Sequence, residues 1–311
     1  MPYIIRDYRP GDFDGYVQLH VDAERLEPSG RCTSPQALAG SLARPNYSPK
    51  HDLFIAETGG KVVGGLNITP ELGIGRVVLD CLIHPEHRRK GLATRLFHSA
   101  MRRASNLGAS LAHVSIPQDN IAASSLLSGL GFGFVRRSLE LTLGLAEVRL
   151  PDGEHIALSC RHLQRGEEDR LTEIQNRSFA GAWGYNPNTT EETIYRVNLS
   201  NCSHEHIVLV CEGHRPIGYC WTTISLEQNE AAGTSKGRIY MIGVGPAYQG
   251  RGAGKQALLA GLSQLKSRGI AVAELTVDSE NKVARALYES VGFKIQSISA
   301  WYEKALAYPE T

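Results

Sequence analysis

The chain has 311 residues, with 33 basic and 32 acidic side chains and a net charge of +1. Its content of 42% hydrophobic and 21% charged residues is that of a globular protein long enough to bury two cores. The balance offers no electrostatic footprint for a nucleic-acid partner or an anionic membrane, and no apolar run approaches the roughly 18 residues of a membrane span.

In chain order, residues 3–9 read as a strand and 13–25 as a helix. The stretch "DLFIAETGGKVVGGLNI" reads as a hairpin turning at Gly59-Gly60. An apolar strand follows over Arg76 to Ile83. Leu92, Leu96, Ala100 and Ala104 then share one face of a helix over Leu92 to Leu107. A strand over Leu111 to Ile116, a helix over Asn120 to Leu130 stopped by Gly131, and a closing strand over Phe132 to Leu143 complete the first half. "LPDGEH" at 150–155 is a turn-like junction.

The second half repeats this plan. It has a strand at 156–162, a helix at 167–179 and a hairpin turning at Gly213-His214. A strand over Arg238 to Val244 and a helix over Gly254 to Ser267 follow. A strand over Ala271 to Val277, a helix over Asn281 to Val291 and a strand over Phe293 to Trp301 end it. The copies keep one offset. Gln249 lies 32 residues before Asn281 and 43 before Gly292; Arg88 lies 32 before Asn120 and 43 before Gly131. Matching spacings at three landmarks indicate a tandem duplication, with expected domains at 1–148 and 154–311. Each is expected to be an α/β domain: a mixed, mainly antiparallel sheet with a central parallel β-α-β crossover.

Each copy carries a loop between strand and helix: Arg88-Arg89-Lys90-Gly91-Leu92-Ala93, and Gln249-Gly250-Arg251-Gly252-Ala253-Gly254. Such a loop turns backbone N–H groups toward the positive end of a helix dipole, which suits a phosphate, and glycine clears the approach. A tight turn without a ligand is the plainer alternative. The P-loop pattern fails at Gln249 and Gln256. A dinucleotide fingerprint is met by Gly252, Gly254 and Ala257, with Asp278 further on. The first copy has only Gly91 and Ala93 there, and the upstream hairpins do not suit a doubly wound sheet.

These residues resemble the GNAT superfamily of N-acetyltransferases, whose signature is [Q/R]-x-x-G-x-[G/A] after a strand. The resemblance covers both halves. It extends to Val244-Gly245-Pro246 and Ile83-His84-Pro85 before the loops, and to Asn281, Ala284, Tyr288 and Gly292-Phe293 after the second. The first copy has Asn120 and Ala123, but Leu127 in place of the tyrosine. The tandem layout and the closing "ISAWYEKA" are also similar to the mycothiol synthase group.

The resemblance implies two tandem acyl-CoA N-acyltransferase domains and acetyl-coenzyme A as cosubstrate, with no metal. Backbone amides of Gly250 to Gly254, and of Arg89 to Ala93, are implied to cradle the pyrophosphate. Main-chain groups at Val244 are implied to meet the pantetheine arm. Asn281 is implied to hold backbone or coenzyme groups, with a plain helix cap as its simpler role. Tyr288 is implied to protonate the departing thiolate in a more active second domain; its simpler role is core packing.

Several family members place a glutamate base eleven residues before the loop. Here Arg238 and Val77 stand at those positions. Asp80 lies three residues off, on the other face of its strand. Glu227, Glu230, His204, His206 and Tyr302 are the remaining candidates, and Cys81 reads as a core thiol. Phe179, Trp183, Tyr185, Tyr195, Trp221 and Trp301 are expected to line an acceptor cavity, or else to be core.

The implied reaction is direct acetyl transfer to the primary amine of a small molecule. A protein or peptide acetyltransferase, a mycothiol synthase-like enzyme and a non-catalytic acyl-CoA sensor are the alternatives. Six cysteines without a CxxC pair fit a reducing cytoplasm. So does an N-terminal stretch without the apolar run of a signal peptide. The acceptor and the oligomeric state are not legible.

Overall fold

The computed structural model describes residues 2–28, 34–148 and 158–306. In chain order the first stretch runs β1 (Ile4–Asp7), α1 (Phe13–Leu26), α2 (Pro35–Leu42), the single-turn α3 (Pro49–Asp52), β2 (Leu53–Thr58), β3 (Lys61–Glu71), β4 (Arg76–Ile83), α4 (Leu92–Asn106), β5 (Leu111–Pro117), α5 (Ile121–Gly129) and β6 (Gly133–Gly144). It continues with β7 (Ser159–His162), α6 (Glu168–Ser178), α7 (Thr190–Val197), β8 (Ile207–Glu212), β9 (Arg215–Thr223) and α8 (Leu226–Ala232). The last part runs β10 (Lys236–Val244), α9 (Ala253–Ser267), β11 (Val272–Asp278), α10 (Lys282–Val291) and β12 (Lys294–Ala305). The expected junction at 150–155 and the start of the strand at 156 lie outside the described residues.

The chain forms two compact units, and they are not its two contiguous halves. The first unit holds the described residues up to Arg137 together with those from Ser299 onward; the second holds Ser138–Ile298. In the first, β1, β2, β3 and β4 pair antiparallel in turn, β4 and β5 pair parallel, and β5 pairs antiparallel with β12 from Ser299 to Ala305. In the second, β7, β8, β9 and β10 pair antiparallel, β10 and β11 pair parallel, and β11 pairs antiparallel with β6 from Ser138 to Gly144.

The expected division at 148 and 154 therefore gives way to an exchange of closing strands. The physical reason is that β6 and β12 occupy matching positions in the repeat. Each presents an edge that either sheet can pair, so local pattern alone does not choose between them.

Within each unit the elements follow from patterning. On α4, Leu92, Leu96, Ala100 and Ala104 are all at most 2% exposed, as the helical period requires. On β6, Leu139, Leu141 and Leu143 enter the core of the second unit, so Glu140 and Thr142 take the opposite face. A Cβ on Gly261 of α9 would lie 2.3 Å from the Cys220 sulfur, so glycine lets that helix settle onto β9. Gly59 and Gly60 adopt φ of 56° and 76°, the left-handed pair of a tight hairpin.

Both sheets open at the same place. The parallel pairing of β4 with β5 ends at Leu79–Val114, and that of β10 with β11 ends at Arg238–Glu274. Beyond those points β4 and β10 stay bonded to their antiparallel neighbours as far as Ile83 and Val244. One edge of each strand is thus left without a parallel partner. In the second unit a β-bulge falls between Ile239 and Met241, while β3 and β4 pair without a shift. The bulge gives Tyr240 a place outside the ladder.

Candidate active site

In the second unit β10 leads through a single 3-10 turn at Pro246–Tyr248 into the glycine loop. The Gln249 side-chain Nε2 donates to the Val244 carbonyl at 3.1 Å and folds the loop back on the strand. Gly250 and Gly252 adopt φ of 75° and 84°, and Gly252 caps the start of the fifteen-residue α9. A Cβ on either glycine would meet nothing within 4 Å, so the loop has an open side. Backbone amides at a helix start beside such open space fit a phosphate group. Arg251 is exposed, Ala253 is buried, and Gly254 sits where a Cβ would touch Leu287 and Val244. Ala253 and Gly254 therefore offer only their main chain to the loop.

The first unit builds the same loop from different residues. Arg88 Nε donates to the Ile83 carbonyl at 3.2 Å, as Gln249 does to Val244. Arg89 holds φ 61° and Gly91 holds 75°. Arg88 also pairs with Glu27 at 2.6 Å, and the Lys90 ammonium donates to the Glu86 carbonyl at 3.2 Å. Leu92 is buried and starts α4, with Ala93 half-buried behind it.

Past the bulge, β10 presents Met241 and Gly243 toward α6, where Gln175 donates to the Met241 sulfur at 3.5 Å. A Cβ on Gly243 would lie 2.8 Å from both the Ser178 Cβ and the Tyr219 ring. Trp221 is buried, donates to the Cys202 sulfur at 3.0 Å and meets Tyr240 edge-on at 5.2 Å. Arg196 of α7 donates to the Tyr240 hydroxyl. Phe179 and Tyr185 stack at 5.1 Å, and the Tyr185 hydroxyl donates to Asn176 at 2.8 Å. Trp183 and Tyr195 are half-buried in the same segments. Trp301 departs from the expected set. It lies in the first unit, 6.2 Å from the His113 ring, because β12 closes that sheet.

Tyr288 is 6% exposed on α10 and meets Phe293 edge-on at 5.8 Å. Burial pushes its phenol well above the usual range, with a small addition from Cys220, so it stays protonated at neutral pH. Asn281 accepts from the Ala284 amide at 3.0 Å and caps α10; Asn120 does the same for α5. The counterpart of Tyr288 in the first unit, Leu127, is fully buried.

Of the candidate bases, Glu227 and Glu230 are exposed on α8, and His204 is bound to Glu168 at 2.6 Å. His206 is buried, and Tyr302 belongs to the first unit, edge-on to Phe134. Val77 is buried in the first core, so Asp80 faces the other way; it stands exposed opposite Asn67. Burial pushes the Cys81 thiol up to about 12, which leaves it unreactive. Arg238 pairs with Glu140 at 2.6 Å. Glu140 is not legible from the sequence around the loop, because it lies 98 residues before Arg238. Its only signal is a charge among the leucines of β6.

Among the described residues no cluster of His, Cys, Asp or Glu is placed to hold a metal, and no helix is long and apolar enough to cross a membrane.

A helix start with left-handed glycines, set against two parallel strands that part, is an arrangement that fits an acyl-coenzyme A-dependent acyltransferase. The profile of the acetyltransferase (GNAT) family matches residues 17–132 and again 169–293, and the chain belongs to that family as a tandem acetyltransferase. Over 303 residues it is 27% identical to the mycothiol acetyltransferase of Gordonia bronchialis, covering 92% of this chain and 90% of that one. Over 240 residues it is 28% identical to the mycothiol acetyltransferase of Saccharomonospora viridis, covering 73% and 74%. A tandem GNAT protein from the clavulanic acid biosynthesis pathway superposes with a TM-score of 0.74 over the full length of both chains, at 15% identity.

Proposed function

We propose that the second unit transfers an acetyl group from acetyl-coenzyme A to the primary amine of a small molecule, by direct attack in a ternary complex. The observation that carries this is the opening between β10 and β11, with the glycine loop at its end and the bulge at Tyr240 on its rim. Amides from Gly250 to Gly254 bind the pyrophosphate, with Gln249 and Arg251 framing the loop. Main-chain groups near Val244 pair with the pantetheine arm as a strand would. Asn281 caps α10 and so fixes Tyr288, which gives its proton to the departing thiolate.

The first unit keeps an anion loop at Arg88, Arg89, Lys90, Gly91, Leu92 and Ala93. With Leu127 in place of the phenol, it binds coenzyme without efficient turnover. Relatives named mycothiol acetyltransferase support a small-molecule acceptor, and deacetylated mycothiol is a second, narrower reading. The aromatic groups around Tyr185, Trp221 and Tyr240 suit an amine with an apolar portion.

The test is thiol release from acetyl-coenzyme A with a panel of amino sugars, arylalkylamines, deacetylated mycothiol and a lysine peptide. Release with a small amine supports the reading. Release with the peptide alone favours a protein acetyltransferase, and no release with any member favours a sensor.

A further inference from the structure

We infer that Glu140 accepts the proton of the attacking amine in the second unit, held there by Arg238 and Thr276; this rests on the function proposed above. The position follows from strand pairing. Leu139 and Leu141 point into the core, so Glu140 takes the face of the sheet that Arg238 also occupies. Glu140 lies opposite Thr276 in the β6–β11 ladder. Thr276 is two residues beyond Glu274, where the parallel pairing ends. The carboxylate is therefore level with the opening between β10 and β11.

Three strands meet at this group. Arg238 on β10 donates to Glu140 Oε1 at 2.6 Å and to Oε2 at 3.3 Å, and Thr276 Oγ1 on β11 donates to Oε2 at 2.6 Å. The guanidinium also reaches Thr276 Oγ1. Arg238, which stands at the family's glutamate position, thus serves as clamp, and the carboxylate comes from the exchanged strand β6. A guanidinium does not give up its proton, so it positions the carboxylate without acting as a competing proton carrier. Oε1, which accepts from Arg238 alone of these donors, has a further lone pair, and the side chain remains 22% exposed. On the same face stand the Lys236–Glu274 ion pair, at 2.6 Å, and Asp278, and Arg196 of α7 reaches the neighbouring Tyr240.

The proton balance is complete with these groups. The ammonium sheds one proton to the Glu140 carboxylate, which passes it to solvent. The amine nitrogen bonds to the thioester carbon, the carbon–sulfur bond breaks, and the sulfur takes the Tyr288 proton. The second proton from nitrogen restores the phenol. In the first unit the matching strand β12 presents Trp301 opposite Ser115, and its Glu303 sits further back, bound to His113 at 2.7 Å.

The test compares wild type with Glu140→Gln in the full chain, using acetyl-coenzyme A and the best amine of the panel above. The expected kcat/KM at pH 7 falls about 100-fold or more, with coenzyme affinity unchanged. The deficit narrows as pH rises past the pKa of the amine, since that substrate arrives already deprotonated. Glu140→Asp retains part of the activity and the wild-type pH profile. If Glu140→Gln does not fold, Thr276→Val serves: it keeps the carboxylate, and a several-fold loss of kcat that narrows at high pH is expected. Activity within about threefold of wild type, or a deficit equal at every pH, overturns the assignment. A wild-type chain that turns over no amine overturns the proposed function, and Glu140 with it.

Discussion

Arg89 of the first loop adopts the left-handed backbone conformation that Gly250 adopts in the second, at φ 61° against 75°. A side chain in that region is held there against roughly 1–2 kcal/mol of steric opposition. The loop has kept its shape where its sequence no longer favours that shape, as expected if the positions of its amides matter. Arg89→Gly is therefore expected to stabilise the chain by about 1 kcal/mol in urea unfolding, part of the relief being offset by greater freedom of the unfolded chain. A loss of stability on that substitution would mean that the arginine side chain outweighs the strain.

Gly252 has open space around its missing Cβ, the space that the proposed pyrophosphate site would use. Gly252→Val places a branched side chain there at a residue with φ 84°. Titration calorimetry with coenzyme A is expected to show at least a tenfold weaker dissociation constant. An unaltered constant would remove the pyrophosphate from this loop.

Tyr288→Phe removes the proposed proton donor and little volume. The expected result is a kcat lowered about 10–100-fold, with coenzyme affinity unchanged. Burial holds the folded phenol above its unfolded pKa of about 10. The native state then binds a proton that the unfolded state releases, so stability is full below pH 10 and falls as pH rises above it. Alkaline unfolding monitored with and without the substitution checks this sign: the phenylalanine variant is expected to lose less stability above pH 10.

Gly261→Ala drives a methyl group to 2.3 Å from the Cys220 sulfur. Both groups lie in the core of the second unit, where overpacking of this kind costs about 1–3 kcal/mol. Cys220→Ala removes the sulfur and is expected to recover part of that loss in the double variant. Denaturant melts of the four proteins measure the coupling; simple additivity would show that α9 shifts away instead.

Much of each loop was legible because its determinants are local. In the second loop two glycines with positive φ, and after it an asparagine cap on α10, each act over about one turn of chain. The hairpin at Gly59-Gly60 was legible for the same reason. The helices α2, α7 and α8 were not anticipated. Each is short, and α7 depends on the Thr189–Glu192 capping box and on burying Val197. The acceptor-side aromatics were legible as a set but not as a place, since Trp301 follows its strand into the first unit.

By itself, the sequence determined the duplicated plan, the strand-loop-helix that suits an anion, and the asymmetry between Tyr288 and Leu127. These rest on period, glycine conformation and residue identity, all of which act within a short span. Tertiary structure alone decided which strand closes which sheet. That choice brings Glu140 to Arg238 and Thr276, and takes Trp301 to His113. Strand pairing joins backbone groups that are distant along the chain, and either repeat offers a suitable edge. Only the packing of the whole chain selects one arrangement, and with it the acidic group at the opening.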